Sequence, residues 1–186
     1  MSPAEVDPPY VPDREVFGAF THQEIWDLVH ESLDPAALGR VADTWRRQAE
    51  LVGEAFRVFA DSVNGELARW RGHSREVAQR ATREFVDRGL ALPDACDTLQ
   101  RLMEADAEAA QSIRDAIPPP PRPYRPLDDP AAEAVHGGRR RMDYDLAAAA
   151  ALADARDVLT YVYNPTLPAS GDRVPRFAPA PSGGRE

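Results

Sequence analysis

Two pairs of an acidic residue and a histidine have spacings that could serve metal chemistry. Glu133 and His136 form a Glu-x-x-His motif, and Asp27 and His30 resemble it. A di-iron helical bundle needs two Glu-x-x-His motifs on long helices, together with further glutamates that face inward. Here one pair lies in a connection that contains proline and glycine, and the other lies on a short helix. The sequence therefore predicts no metal site.

Other reactive side chains are few and scattered. No histidine has a cysteine at zinc spacing, and the single cysteine, Cys96, lies on an apolar helix face that is typical of a small core residue. The basic stretch 137–141 is typical of a solvated turn, and no glycine-rich phosphate loop is present. We therefore predict a protein that is not an enzyme and that needs no cofactor.

The composition argues against several classes of protein. The chain of 186 residues has a net charge of −9, which argues against nucleic acid as its partner. No apolar run approaches the ~20 residues of a membrane-spanning helix. The first residues lack the basic start and the apolar core of a secretory leader. We expect a chain that is synthesised in the cytoplasm and that would be exported only by a route without a cleaved leader.

The elements that position these residues are predicted to be helices, because apolar residues recur at helical spacing and strand signals are nearly absent. Thr21-His-Gln-Glu24 is a capping box that starts a short first helix. Asp34-Pro35 starts a main helix that runs to about residue 70. Its apolar seam advances mostly in steps of three and four residues and includes Trp45, Val52, Phe56, Phe59 and Val63.

The turn that follows the main helix contains Trp70 and Gly72. Gly72 can adopt a positive φ, which lets a helix stop and the chain reverse. Ser74 is expected to cap the next helix, and Glu76 in the first turn of that helix suits the helix dipole. We interpret Trp70-x-Gly72 as the tip of a helical hairpin. The alternative interpretation is a helix C-cap beside a core tryptophan.

Three further helices are predicted after this turn. Apolar residues recur at helical spacing over 74–89, about 94–117 and about 143–163. The four prolines at 118–121 end the second of these helices. The segment 158–163 contains β-prone residues, but it continues the helical period, so we assign it to the last helix.

Proline-rich stretches divide the chain into three parts. The sequence predicts an N-terminal arm at 1–20, a helical bundle at 21–163 with a proline- and glycine-rich connection at 118–138, and an extended or disordered tail at 164–186. The predicted fold is all-α, an elongated bundle of about five helices built on long antiparallel hairpins.

Several of these features occur in an order that one family shares. They are Trp45, the stretch from Phe56-Arg-Val-Phe59 to Trp70-Arg-Gly72, the long helix that ends in prolines, and the closing segment from Ala155 to Phe177. The pattern resembles the PPE branch of the actinobacterial type VII (ESX) secretion substrates, which are relatives of the WxG hairpin proteins. The chain departs from that family because the Pro-Pro-Glu start appears only as Asp7-Pro-Pro-Tyr10.

The resemblance implies secretion or display at the cell surface without a cleaved leader. It implies a small PE- or WxG-type helical partner, a type VII secretion motor and a dedicated chaperone. Trp70 and Gly72 would supply one half of an export signal, and a Tyr-x-x-x-Asp/Glu motif would supply the other. Tyr124 and Asp128 match that second motif, but they lie in the proline-rich connection. We therefore expect the second half to come from the partner.

Two other classes of function stay open. One is a cytoplasmic helical adaptor, and the other is a trafficking module for a toxin on a separate chain. The main helix has more apolar seam than the return helix 74–89 can cover. Either the later helices close the bundle, or a partner hairpin covers the rest of the seam.

Overall fold

The computed structural model describes residues 6–177, and the regular structure in this range is helical. Its α-helices are α1 (His22–Ser32), α2 (Pro35–Leu67), α3 (His73–Gly89), α4 (Ala91–Ala116), α5 (Pro130–Val158) and α6 (Asn164–Ser170). The described range contains no strand; one isolated β-bridge joins Val6 and Pro175. The all-α fold class is confirmed, with α6 as a helix beyond the five that were predicted. No described helix combines the length and the apolar character that crossing a membrane requires.

The chain forms two compact units. The described residues of the first unit are 6–10, 36–105 and 172–177, and those of the second are 11–35 and 106–171. The first unit therefore contains nearly all of α2, all of α3 and the beginning of α4. The second unit contains α1, the end of α4, α5 and α6.

In the first unit, α2 and α3 form a hairpin. The rings of Phe56 and Phe59 on α2 contact that of Phe85 on α3, with centroids 5.5 and 5.3 Å apart. Gly89, the last residue of α3, lies so close to Phe56 that a Cβ at this position would be 2.1 Å from its ring. The return helix thus packs on the aromatic part of the α2 seam. Cys96 on α4 is buried, as its apolar surroundings in the sequence indicated.

The core of the second unit joins α1, the end of α4 and the end of α5. Its buried residues are Phe17, Ile25, Val29, Ile113, Ile117, Ala155 and Leu159. Burying a large aliphatic side chain contributes about 1.5–3 kcal/mol, so this cluster is a main source of stability for the unit.

Polar groups fix both ends of α1. At its start, the backbone amide of Thr21 donates to Glu24 Oε2 at 2.7 Å, and that of Glu24 donates to Thr21 Oγ1 at 3.3 Å. The predicted capping box is therefore confirmed. At its end, the Arg114 guanidinium donates to the carbonyl oxygens of Val29, His30 and Leu33 at 3.3, 2.9 and 2.7 Å. The last carbonyls of a helix lack a full set of amide donors; Val29 accepts from the amide of Leu33 at 3.2 Å, and Arg114 supplies further donors and ties the end of α4 to α1.

The connection before α5 is shorter than predicted, because α5 begins at Pro130 and not near residue 143. Asp129 caps the helix by accepting a hydrogen bond from the amide of Ala131 at 3.0 Å. Proline is tolerated in the first turn because its missing N–H would have no partner there. The second half of the segment 118–138, which was predicted to be a connection, is therefore helical.

The boundary at residue 164 is also corrected. The segment Leu159–Tyr163 is helical, as predicted, but it has π-helical geometry and leads directly into α6. Thr166 Oγ1 donates to the carbonyl oxygen of Val162 at 2.5 Å, which holds the chain in helical geometry on either side of Pro165. The predicted extended tail is thus helical over 164–173. Residues 178–186 of that prediction lie outside the described range.

Candidate functional site

The turn between α2 and α3 is the candidate site. α2 ends at Leu67, and the amides of Arg69 and Trp70 donate to the carbonyl oxygens of Glu66 and Leu67, both at 3.1 Å. Gly72 has φ 76° and ψ −163°, and no other described residue has a positive φ. A side chain would be strained at these angles, so glycine is required for the reversal. The predicted positive φ of Gly72 at the reversal is confirmed.

Trp70 is exposed on this turn. Half of its surface (50%) is accessible to solvent. This exposure does not fit a core tryptophan, which was the alternative interpretation. Tryptophan is among the side chains that contribute most to protein–protein affinity when a partner buries them. The turn therefore presents a large apolar group on a backbone whose geometry is fixed by Gly72.

The charged and polar groups around the turn are in solvent. Arg69 pairs with Glu66 at 3.3 Å, and both side chains are largely exposed. His73 Nδ1 lies 3.8 Å from Glu76, which occupies the first turn of α3 as predicted. Ser74 does not cap α3, because the helix begins at His73 with Gly72 as its N-cap. Exposed pairs contribute at most about 1 kcal/mol each, so these contacts add little to the rigidity of the turn.

The predicted seam of α2 is only partly covered. Phe59 is 40% exposed, and its contact Phe85 on α3 is 45% exposed. Trp45 is half-buried and stacks on Phe177, with ring centroids 6.3 Å apart and an interplanar angle of 23°. The other predicted seam residues are also half-buried; they are Val52, Phe56 and Val63. The first unit therefore leaves an apolar strip beside Phe59 and Phe85 in solvent.

Tyr124, the aromatic residue of the second motif, is not free. Its hydroxyl donates to Glu133 Oε1 at 2.9 Å, and Glu133 Oε2 accepts from the amide of Leu127 at 2.8 Å and from Arg140 at 3.3 Å. Asp128 is exposed. Tyr124 and Asp128 belong to the second unit, whereas Trp70 and Gly72 belong to the first.

The environment of Glu133 and Tyr124 alters the pKa of both groups. The amide of Leu127 donates to the Glu133 carboxylate and lowers its pKa, and Tyr124 and Arg140 act in the same direction. Loss of solvation raises the pKa of Tyr124, and the neighbouring Glu133 carboxylate raises it further. The Tyr124 hydroxyl therefore keeps its proton and continues to donate to Glu133.

The candidate metal ligands have other contacts. The His30 ring stacks on Trp26 with centroids 3.5 Å apart, and Asp27 accepts a hydrogen bond from Gln23 at 2.7 Å. His136 is exposed, while Glu133 is engaged with the connection before α5. Within residues 6–177, no three histidine, cysteine, aspartate or glutamate side chains are grouped so that they could hold a metal ion.

Sequence reasoning missed the network around Glu133. Gly137 lies one helical turn after Glu133, and a Cβ at Gly137 would be 2.2 Å from Glu133 Oε1. The glycine thus leaves room for the carboxylate to fold back along α5. The Glu-x-x-x-Gly spacing was the available signal, but both residues had been assigned to a loop.

Comparisons with protein-family models, with curated proteins and with solved structures found no match. The interpretation of the site therefore depends on its geometry and on the motifs in the sequence.

Proposed function

We propose that this chain is a non-enzymatic substrate of type VII (ESX) secretion that presents Trp70-x-Gly72 as one half of an export signal. The observation that carries the proposal is the half-exposed indole of Trp70 on a turn fixed by Gly72. An apolar group held in solvent by a fixed backbone can dock without a large cost in conformational entropy. The protein would then act outside the cell or at its surface.

A small PE- or WxG-type helical protein is the proposed partner. The exposed strip at Phe59 and Phe85, with Val77 on α3 also 50% exposed, suits the apolar face of a helical hairpin. Tyr124 is hydrogen-bonded to Glu133, which argues against its use as the second half of the signal. We infer that the partner carries the Tyr-x-x-x-Asp/Glu half and that the secretion motor engages both halves.

Replacing Trp70 tests the export signal. Trp70→Ala should abolish secretion into the culture supernatant and should leave the melting temperature nearly unchanged, because the indole is half in solvent. Leu51→Ala is a matched control, since Leu51 on α2 is 64% exposed and lies outside the turn; this variant should be secreted normally. Normal secretion of a folded Trp70→Ala protein would contradict the proposal. Retention of the unaltered chain in the cytoplasm would favour the adaptor.

The proposal also predicts that the protein has no metal-dependent chemistry. Elemental analysis of the purified chain should show no stoichiometric iron or zinc, and hydrolase assays should be negative. A metal ion bound at one per chain would contradict this prediction. Substitutions of Glu133, His136, Asp27 and His30 would then identify its ligands.

A further inference from the structure

A row of apolar side chains on α5 lies in solvent. Val135, Met142 and Leu146 are 74%, 57% and 64% exposed. Their spacing of seven and four residues puts them on one helical face. Ala149 and Ala153 continue the same face and are also exposed. We call these five residues the α5 stripe.

The α5 stripe is not part of the core of the second unit. α5 contributes a different face to that core, through Ala155, which is 1% exposed, and Leu152. Single exposed apolar residues are ordinary, but an aligned row along about five helical turns is typical of a helix–helix interface. The α5 stripe therefore has the character of a helix-binding face, and no described helix of the second unit covers it.

We propose that a second copy of this chain covers the α5 stripe, with the two α5 helices antiparallel about a two-fold axis. The sizes of the side chains suit this arrangement. When Leu146 lies opposite Ala149 of the second copy, Met142 lies opposite Ala153, and symmetry repeats both pairs. Each large side chain then meets a small one, as close packing between helices requires.

The charges beside the α5 stripe favour the same arrangement. Arg139 and Asp157 are exposed, and they lie on the same side of the stripe, near its two ends. Neither side chain has an ion pair in the part of the chain that the structure describes. Antiparallel pairing in this register places Arg139 beside Asp157 of the second copy, which gives two symmetric ion pairs. Parallel pairing in register would instead leave Arg139 and Asp157 of the second copy about 27 Å apart along the helix axis, so neither ion pair would form.

This inference does not depend on the proposed export function. It concerns a face of the second unit, whereas Trp70 and the strip at Phe59 belong to the first. A chain that dimerises through α5 could still be an adaptor, and an exported chain could still be monomeric.

The first experiment measures the mass of the full chain by sedimentation over a range of concentrations. The unaltered chain should dimerise, and Leu146→Glu should be monomeric with an unchanged circular dichroism spectrum, since Leu146 is exposed. A chain that stays monomeric up to about 1 mM, where even weak complexes form, overturns the proposal. A dimer that survives Leu146→Glu also overturns it.

The second experiment tests the antiparallel arrangement by exchanging charges. Arg139→Asp and Asp157→Arg should each weaken dimerisation by about ten-fold, and the double variant should restore it. Arg101→Asp changes the net charge by the same amount as Arg139→Asp at an exposed position on α4 and should have no effect. Failure of the double variant to restore the dimer would overturn the antiparallel pairing, as would an equal effect of Arg101→Asp.

Discussion

Glu133 fixes the path of the chain between α4 and α5. Its two carboxylate oxygens accept hydrogen bonds from the hydroxyl of Tyr124, the amide of Leu127 and the guanidinium of Arg140. The Tyr124 ring also has the Arg140 guanidinium 5.6 Å from its centroid and contacts the Tyr144 ring. A segment rich in proline has few backbone donors, so one carboxylate that accepts several hydrogen bonds has a large local effect.

The role of Glu133 is tested by replacing it and measuring how the effect on stability depends on pH. The pKa of Glu133 is lowered in the folded chain, so its contribution to stability is present above the ordinary value of 4.5 and is lost as pH falls through the lowered folded-state pKa. Glu133→Gln should therefore lower the melting temperature at pH 7 and have a smaller effect at pH 3. Glu108→Gln, at an exposed position on α4, is the control. An equal loss of stability at both pH values would contradict this account.

The conformation and contacts of the site residues could be predicted from the sequence for some of them and not for others. Gly72 could be predicted because a glycine between two periodic helical segments has a local conformational reason to be there. The Glu133 network could not, because its partners are joined by the fold of a connection that has no periodicity. Whether Tyr124 was free or bonded therefore could not be read from the Tyr-x-x-x-Asp spacing.

The success of the predicted helix boundaries depends in the same way on whether their cause is local or tertiary. The capping box at Thr21 and the end of α3 at Gly89 were correctly predicted from local signals. The predicted start of α5 was wrong, because Gly137 and Gly138 are typical of a loop. Each glycine costs a helix about 1 kcal/mol, but packing of α5 on its unit outweighs that cost. The helix α6 was not predicted at all, because a proline at position 165 indicates the end of the preceding helix; in the structure Pro165 lies in a first turn that tolerates proline.

The hairpin of α2 and α3 depends on the close approach of Gly89 to Phe56. Gly89→Ala should lower the free energy of unfolding by about 1–3 kcal/mol, because the added Cβ would displace the ring. The matched control is Gly65→Ala on α2, where a Cβ meets nothing within 4 Å. It should stabilise the chain by about 0.5–1 kcal/mol through helix propensity. Denaturant titration of both variants measures the two changes in the free energy of unfolding, which should have opposite signs. If Gly89→Ala leaves the free energy of unfolding unchanged, α3 can shift away from Phe56.

On the scale of the whole chain, the first unit joins segments from both ends of the described sequence. The amide of Asp7 donates to the carbonyl oxygen of Val174 at 3.0 Å, and its carboxylate pairs with Arg176 at 3.3 Å. Phe177 follows directly and stacks on Trp45 of α2. The segment after α6 thus covers one end of the α2 seam, so the seam needs less cover from a partner than the sequence alone suggested.

The open part of the seam gives the last prediction, which concerns Phe59. Phe59 is 40% exposed and contacts Phe85. Phe59→Arg removes one aromatic pair, worth about 0.5–1.5 kcal/mol, and so should leave the isolated chain folded. In co-expression with the proposed small helical partner, Phe59→Arg should abolish co-purification, because a buried guanidinium without a partner would be placed in an apolar interface.

Leu51→Arg is the control for Phe59→Arg. Leu51 is 64% exposed on the same helix and lies outside the seam, so this variant should pair normally. Mass measurement of the purified complexes distinguishes the outcomes. If Phe59→Arg unfolds the isolated chain, the seam belongs to a closed bundle, and if the variant still pairs, the partner binds elsewhere. Either result would separate the open seam at Phe59 from the proposed partner.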